Sequence, residues 1–319
     1  MFRAICVSRL AVVLCSVVLC LFAGPVTAKA GAGNTARLEY PLARVAVVSA
    51  FQPEIDALLK HVAHAKTHRI NGVDFTLGEL EGRRVVLFLS GISMTNAAMN
   101  MQLALDHFNL THIVVSGIAG GVNPQLDIGD VTVAERWGQY LEVLMARESG
   151  SGQYTLPDGL GSFPFPNNGP IFPRPLQVRS ADQPQWHEQF WFKTDPSLMA
   201  VAQRIADVTL DACTVKQVCL SHEPRLVVGG NGVSGSAFVD NADWRRYLFK
   251  TFQANVVDME TAAIAMVAYS NGVPFIAFRS LSDLAGGGKG ENEMNTFFSI
   301  AARNSAHVLV AFFKAWEKQ

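Results

Sequence analysis

Residues 256–288, VVDMETAAIAMVAYSNGVPFIAFRSLSDLAGGG, restrict the possible folds more than any other part of the chain. An apolar run ends at Asp258, a helical segment follows, a second apolar run ends at Asp283, and a glycine loop closes the unit. Strand, helix and strand in that order imply a parallel pair with a crossover helix laid over the sheet. In an open α/β sheet, ligands bind beyond the carboxyl ends of the strands. Asp258 and Glu260 follow the first strand and Asp283 follows the second. This one unit can therefore aim three carboxylates, together with Arg279, at a single small molecule.

The rest of the chain repeats the alternation. Residues 44–50 read as a buried strand, and Pro53 then opens a helix in its first turn, where proline is favoured. Residues 72–80 and 83–90 are two strands joined at Glu81-Gly82, and 94–108 are helical. Residues 112–118 form another buried strand ending in Ala119-Gly120-Gly121, and 129–135 are strand-like. Further on, 197–208 are helical, 226–235 are a strand running into a glycine loop, 243–252 a short helix, and 292–316 a long C-terminal helix. The fold class is α/β with a largely parallel sheet. Residues 137–195 break the pattern with runs such as FPFPNNGPIFPRP and QWHEQFWFK. So many aromatic residues argue against disorder, and the segment reads as an ordered insertion that covers a pocket.

The N-terminus stands outside this pattern. Arg3 and Arg9 give a basic start, residues 10–23 are apolar, and Gly24-Pro25 breaks the run ahead of small residues suited to a signal peptidase. The run is too short to span a bilayer, so residues 1–28 read as a secretory signal and 29–43 as a loose leader. No later segment reads as apolar enough to cross a membrane, which makes the expected protein exported, periplasmic or secreted. Removing residues 1–28 takes away two arginines and no acid, so the formal charge moves from −1 to about −3. That balance argues against binding a nucleic acid polymer, which needs a basic face. Of five cysteines only Cys213 and Cys219 would remain, and a close pair in an oxidising compartment points to one disulfide.

Several residues carry candidate chemistry, each with a plainer alternative. Glu54 follows the first strand, but an acid in a first helical turn also simply complements the helix dipole. SGIAGG at 116–121 lets backbone approach a ligand closely, yet fits neither the dinucleotide nor the phosphate-loop pattern. Met259 and Glu260 suit a sugar, because a carboxylate accepts two hydroxyl hydrogen bonds and a thioether packs on the ring. His61, His64 and His68 lie near one face if helical, but no acid or cysteine completes a metal site.

Four segments appear together in one order: AFQPEIDALL, VVSGIAGGVNPQLDIGDV, SGSAFVDN and VVDMETAAIAMVAYSNGVPFIAFRSLSDLAGG. In this combination the chain resembles the purine nucleoside phosphorylase/uridine phosphorylase superfamily. Within it the resemblance is to 5′-methylthioadenosine/S-adenosylhomocysteine nucleosidases and, through the aromatic insertion, to exported bark-storage-like relatives. It implies a single-domain three-layer α/β/α sandwich around a mixed, largely parallel sheet over residues 44–319. By position it implies Glu54 as the carboxylate that activates water, and Asp283, beside Ser282, as the acid that protonates the purine. It implies Met259 and Glu260 as ribose contacts supported by Arg279, and Phe238 and Val239 as base contacts. Ala119 and Gly120 become the glycine-turn wall, and Phe51 and Ile92 line the 5′-substituent pocket. No metal or organic cofactor is implied, and a homodimer is.

The implied activity is hydrolysis of an adenine nucleoside or 5′-thionucleoside. A phosphate-dependent phosphorylase is the near alternative, opposed by a first-strand loop, AFQPE, that has an acid and no arginine. A non-catalytic nucleoside-binding or storage protein is the distant one, opposed by retention of Glu54, Glu260 and Asp283 together. Ile118, Phe51 and Asp258 depart from the residues such nucleosidases usually carry, a Ser or Thr, a Met and a Glu respectively.

Overall fold

The computed structural model describes residues 38–316. The chain runs through β1 (Tyr40–Ser49), α1 (Gln52–Leu59), β2 (Ala63–Ile70), β3 (Val73–Leu80), β4 (Arg83–Leu89), α2 (Met94–His107) and β5 (Phe108–Gly121). Next come β6 (Val131–Val133) and β7 (Arg136–Gln139), then six short strands, β8 (Val143–Met145), β9 (Arg147–Gly150), β10 (Gln153–Thr155), β11 (Ile171–Pro173), β12 (Leu176–Val178) and β13 (His187–Gln189). The last third holds β14 (Trp191–Lys193), α3 (Pro196–Arg204), β15 (Leu226–Val228), β16 (Asn231–Ser234), α4 (Ala242–Phe252), β17 (Ala254–Asp258), α5 (Thr261–Ser270), β18 (Phe275–Asp283) and α6 (Met294–Ala315).

The central sheet is mixed, with the order β14-β7-β16-β17-β5-β1-β4-β3-β2. β18 joins it beside β5, and β6 and β15 extend that branch. Alternation along the buried strands divides the core into two layers. Ala46, Val48, Val86, Phe88, Ile113 and Val115 face a cluster shared with α2 and α5. Val45, Val47, Val85, Leu87 and Val114 face the opposite cluster under α1, α3 and α6. Helices therefore cover both faces, as a period of two along a doubly buried strand requires.

Several expectations differ from the structure. The leader ends earlier than residue 43, because β1 already begins at Tyr40, whose ring stacks on Phe108 at 4.5 Å. The strand read over 226–235 is two strands: Gly229 and Gly230, both at positive φ, break it, so β15 pairs with β6 while β16 pairs with β7 and β17. His64 and His68 lie on β2 rather than on a helix, and no group of three or more metal-ligating side chains occurs among the described residues. Finally, α6 is long and apolar enough, by length and composition, to cross a membrane. Here its apolar face is buried against the sheet, as in the core helix of a globular domain. The signal segment, residues 1–28, lies outside the described residues.

The 137–195 insertion is ordered, but it packs on α4 and α5, and none of its residues lines the cavity ringed by the ends of β1, β5, β17 and β18. It starts inside the main sheet with Trp137 and ends there with β14. In between, β8 with β11, β9 with β10, and β12 with β13 form three separate two-stranded units. Phe165 and Phe190 pack on Phe252 of α4 at 4.9 and 5.4 Å, which gives the aromatic runs an apolar surface to bury. Cys213 and Cys219 are joined as a disulfide in the loop before β15. Trp137 is fully buried against Gly232, where an added Cβ would meet the indole ring at 2.5 Å. Gly232→Ala is expected to lower stability by about 1–3 kcal/mol through overpacking. A urea-unfolding midpoint unchanged from wild type would show that the indole can move aside.

Candidate active site

The long strand β5 creates the site by changing partners. Its first part runs parallel between β1 and β18. Its end, Gly120-Gly121, pairs antiparallel with Val256 and Val257 of β17. The ends of β1, β5, β17 and β18 are thereby drawn around one cavity of about 300 Å³. Phe51, Glu54, Ile92, Ala119, Gly120, Phe238, Val239, Met259, Glu260, Ser282 and Asp283 all line it. Arg279 does not; it is 1% exposed and stands behind the acidic wall, so it supports rather than touches whatever occupies the space. Phe238 and Ile92, 55% and 50% exposed, form an open apolar rim.

Glu54 reaches back from the first turn of α1. Its Oε2 accepts from the N–H groups of Ala50 at 2.7 Å and Phe51 at 3.3 Å, and its Oε1 from Ile118 N–H at 2.8 Å. Burial pushes its pKa above the ordinary carboxylate range, against the pull of Arg279 and these three donors. Asp283 ends β18. It accepts from Ala285 N–H at 2.8 Å and Ser282 Oγ at 2.9 Å, and burial again raises its pKa. The two acids therefore sit in separate surroundings on opposite elements of one cavity.

Arg279 gathers the remaining acids. Its Nε lies 2.8 Å from Asp258, its Nη2 3.4 Å from Glu260 and its Nη1 3.9 Å from Glu54. Burial works against the guanidinium charge, but the three carboxylates outweigh it and raise the Arg279 pKa. Burial also lifts Glu260 to about 7, with Arg279 opposing and Asp258 adding to the rise. Glu260 accepts from Ser93 N–H at 2.8 Å, which ties it to the turn before α2. Gly117 makes this cluster possible: a Cβ there would come within 2.2 Å of Arg279 Nη1 and 2.5 Å of Glu54 Oε1.

Asp258, a departure in sequence, has a structural explanation. It closes β17 and caps α5, accepting from the backbone N–H groups of Glu260 and Thr261 and from the hydroxyls of Ser234 and Thr261. Ala50, Ile118, Ala237, Val257 and Met294 also line the cavity. Of these Met294, the first residue of α6, carries no local signal; only the tertiary fold brings it there.

The sequence pattern of the phosphorylase superfamily matches residues 44–314, and the chain belongs to that superfamily. The 5′-methylthioadenosine/S-adenosylhomocysteine nucleosidase of Mycobacterium bovis is 28% identical over 267 residues, 83% of this chain and 95% of its own length. That of Bacillus thuringiensis is 27% identical, over 84% of this chain and 96% of its own. Among solved structures, the Neisseria meningitidis nucleosidase in complex with methylthio-immucillin-A superposes with a TM-score of 0.63 at 26% identity, covering 86% of this chain and 100% of that one. Futalosine hydrolase of Helicobacter pylori shares the fold at 21% identity, with a TM-score of 0.61 over 86% of this chain and 97% of its own.

The raised Glu260 pKa has a testable sign. Between pH 4.5 and about 7 the folded carboxyl keeps a proton that the unfolded chain has released. Stability therefore falls as pH rises through that window. Glu260→Gln removes this contribution. Urea unfolding across the window should show a smaller loss for the variant than for wild type, and parallel profiles would contradict the assignment.

Proposed function

We propose that the protein hydrolyses the N-glycosidic bond of an adenine nucleoside or 5′-thionucleoside of the methylthioadenosine/adenosylhomocysteine type, releasing adenine and the sugar. One observation carries this reading: two buried acids, Glu54 and Asp283, occupy separate environments around a single cavity of about 300 Å³, the lower end of small-molecule sites. The nucleosidase relatives support the same chemistry.

Cleavage sends the C1′–N9 electron pair to the base while water oxygen bonds to C1′. Asp283, whose pKa burial raises, is placed to give a proton to N7 of the leaving purine. Glu54, made more basic by burial, takes the proton of the attacking water. Two acids in different surroundings are what such an acid and base pair needs. Met259 and Glu260 hold the ribose, Phe238 and Val239 the base, and Phe51 and Ile92 the 5′ substituent.

A second observation favours water over phosphate as the acceptor. Glu54, Asp258, Glu260 and Asp283 line the cavity, and no lysine, arginine or histidine is among its lining residues. Arg279 is committed to three carboxylates, so a phosphate anion would meet repulsion without a countercharge.

The decisive assay measures free base from adenosine, methylthioadenosine, adenosylhomocysteine and inosine, with and without phosphate. Adenine release without phosphate is the expected result. A phosphate requirement would assign phosphorolysis, and no release would assign binding alone. Asp283→Asn and Glu54→Gln are each expected to lower kcat by about 10²–10⁴-fold with the fold retained. Full activity in either variant would remove that residue from the mechanism.

Export and a homodimer belong to this reading as well. The basic and apolar residues 1–28 and the Cys213–Cys219 disulfide support an oxidising, extracytoplasmic location. Residues 1–28 fused to a reporter active only after export should give signal; a silent fusion would place the protein in the cytoplasm.

A further inference from the structure

The turn before α2 holds a serine where the backbone favours glycine. Ser93 has φ 83° and ψ 156°, a region that a residue with a Cβ enters only when its surroundings force it. Residues forced in this way cluster where a fold holds a group in place for binding or catalysis. Two bonds fix the Ser93 backbone: its N–H donates to Glu260 Oε1 at 2.8 Å, and its C=O accepts from Ala97 N–H at 3.0 Å. From that backbone the side chain reaches across to a second loop, where Ser93 Oγ donates to Ser236 Oγ at 2.9 Å. Ser236 lies on the turn after β16, in which Gly235 N–H donates to Asp258 C=O at 3.1 Å and Ala237 N–H to Gly235 C=O at 2.7 Å. Both hydroxyls hang from backbones that are already fixed, which lowers the cost of holding them together in water.

Ile92, next to Ser93, and Phe238, two residues after Ser236, are the exposed apolar rim of the cavity. Neither serine lines the cavity itself. We propose that the Ser93–Ser236 pair is a clasp that fixes the width of the cavity mouth and so sets how large a 5′ substituent the site prefers. Both serines are then positioning residues that act through Ile92 and Phe238. The kinetic form of the proposal rests on the hydrolase reading; the clasp itself does not.

Loss of either hydroxyl unties the turn that carries Ile92 from the turn that carries Phe238. The rim can then open. Contacts to a small 5′ substituent weaken more than contacts to a large one, which still spans the wider gap. The Ser93 N–H is retained in such variants, so Glu260 keeps its backbone donor, and Glu54 and Asp283 keep theirs. The change therefore falls on KM for the smaller substrate rather than on kcat.

The test compares Ser93→Ala, Ser93→Gly and Ser236→Ala with Ser236→Thr, which keeps a hydroxyl. Its readout is the ratio of kcat/KM for methylthioadenosine to that for adenosylhomocysteine. Each of the first three variants is expected to lower the ratio about threefold, within the worth of one neutral hydrogen bond. Ser93→Ala combined with Ser236→Ala should lower it no further than either alone, because the two serines make one contact. Ser236→Thr should keep the wild-type ratio. Stability should move separately: Ser93→Gly is expected to unfold at higher urea than Ser93→Ala, because glycine adopts this backbone without strain. The reverse order would mean that the turn is not forced, and would overturn the proposal. So would a glycine variant with the wild-type ratio, additive losses in the double variant, or an unchanged ratio throughout. Ser236 is exposed, so its alanine variant decides the matter even where a Ser93 variant fails to fold. If the wild type releases no base, the hydrolase reading fails, and the same ratio is read from the dissociation constants of the two nucleosides by calorimetry. A wild type that binds neither nucleoside would overturn both.

Discussion

A fully buried guanidinium surrounded by three buried carboxylates is the interaction on which the rest of this structure depends. Arg279 alone joins β18 to the end of β17, to the first turn of α5 and to the first turn of α1. Burying these charges is costly, and their mutual attraction offsets the cost only where geometry and further hydrogen bonds are good. Backbone N–H groups at the ends of β1 and β5 and at the starts of α1 and α5 supply those bonds. The chain termini of these four elements are thus fixed by the same electrostatic requirement that makes the cavity acidic.

That requirement also explains the glycine pattern of β5. Gly117 leaves room for Arg279 to approach Glu54. Gly120 faces Asp283 and Ala285, where a Cβ would sit 3.3 and 3.2 Å from their atoms. A side chain at either position would push apart the groups that the cavity needs close together. Gly117 and Gly120, which fit no nucleotide-binding fingerprint, make room for carboxylates, while Gly121 makes room for Leu281 and Leu284.

Much of the fold is legible in the sequence, because buried strands, helix starts and glycine turns leave local signals. The candidate site was readable for a related reason: most of its residues lie at strand ends or in first helical turns. The misreadings share a physical cause. His61, His64 and His68 have a spacing compatible with a helix, yet β2 pairs with β3 and takes two of them into a strand. The aromatic insertion shows that it must bury surface, but not against what, and Phe252 of α4 and Tyr269 of α5 are among its partners. Tyr40 extends β1 because Phe108 offers a stacking face nearly seventy positions away in sequence, a distance local pattern cannot register.

Sequence by itself determined the α/β alternation, the carboxylates at the strand ends and the membership of the phosphorylase superfamily, because these depend on local periodicity and on residue order. Tertiary structure alone decided that Arg279 stands behind the wall rather than in it, that Asp258 answers to Thr261 and Ser234, and that Met294 completes the cavity. Those outcomes depend on distances between elements far apart in the chain. The carboxylates of residues 256–288 acquire distinct roles only when Glu54 arrives from α1 and the guanidinium must be divided among them.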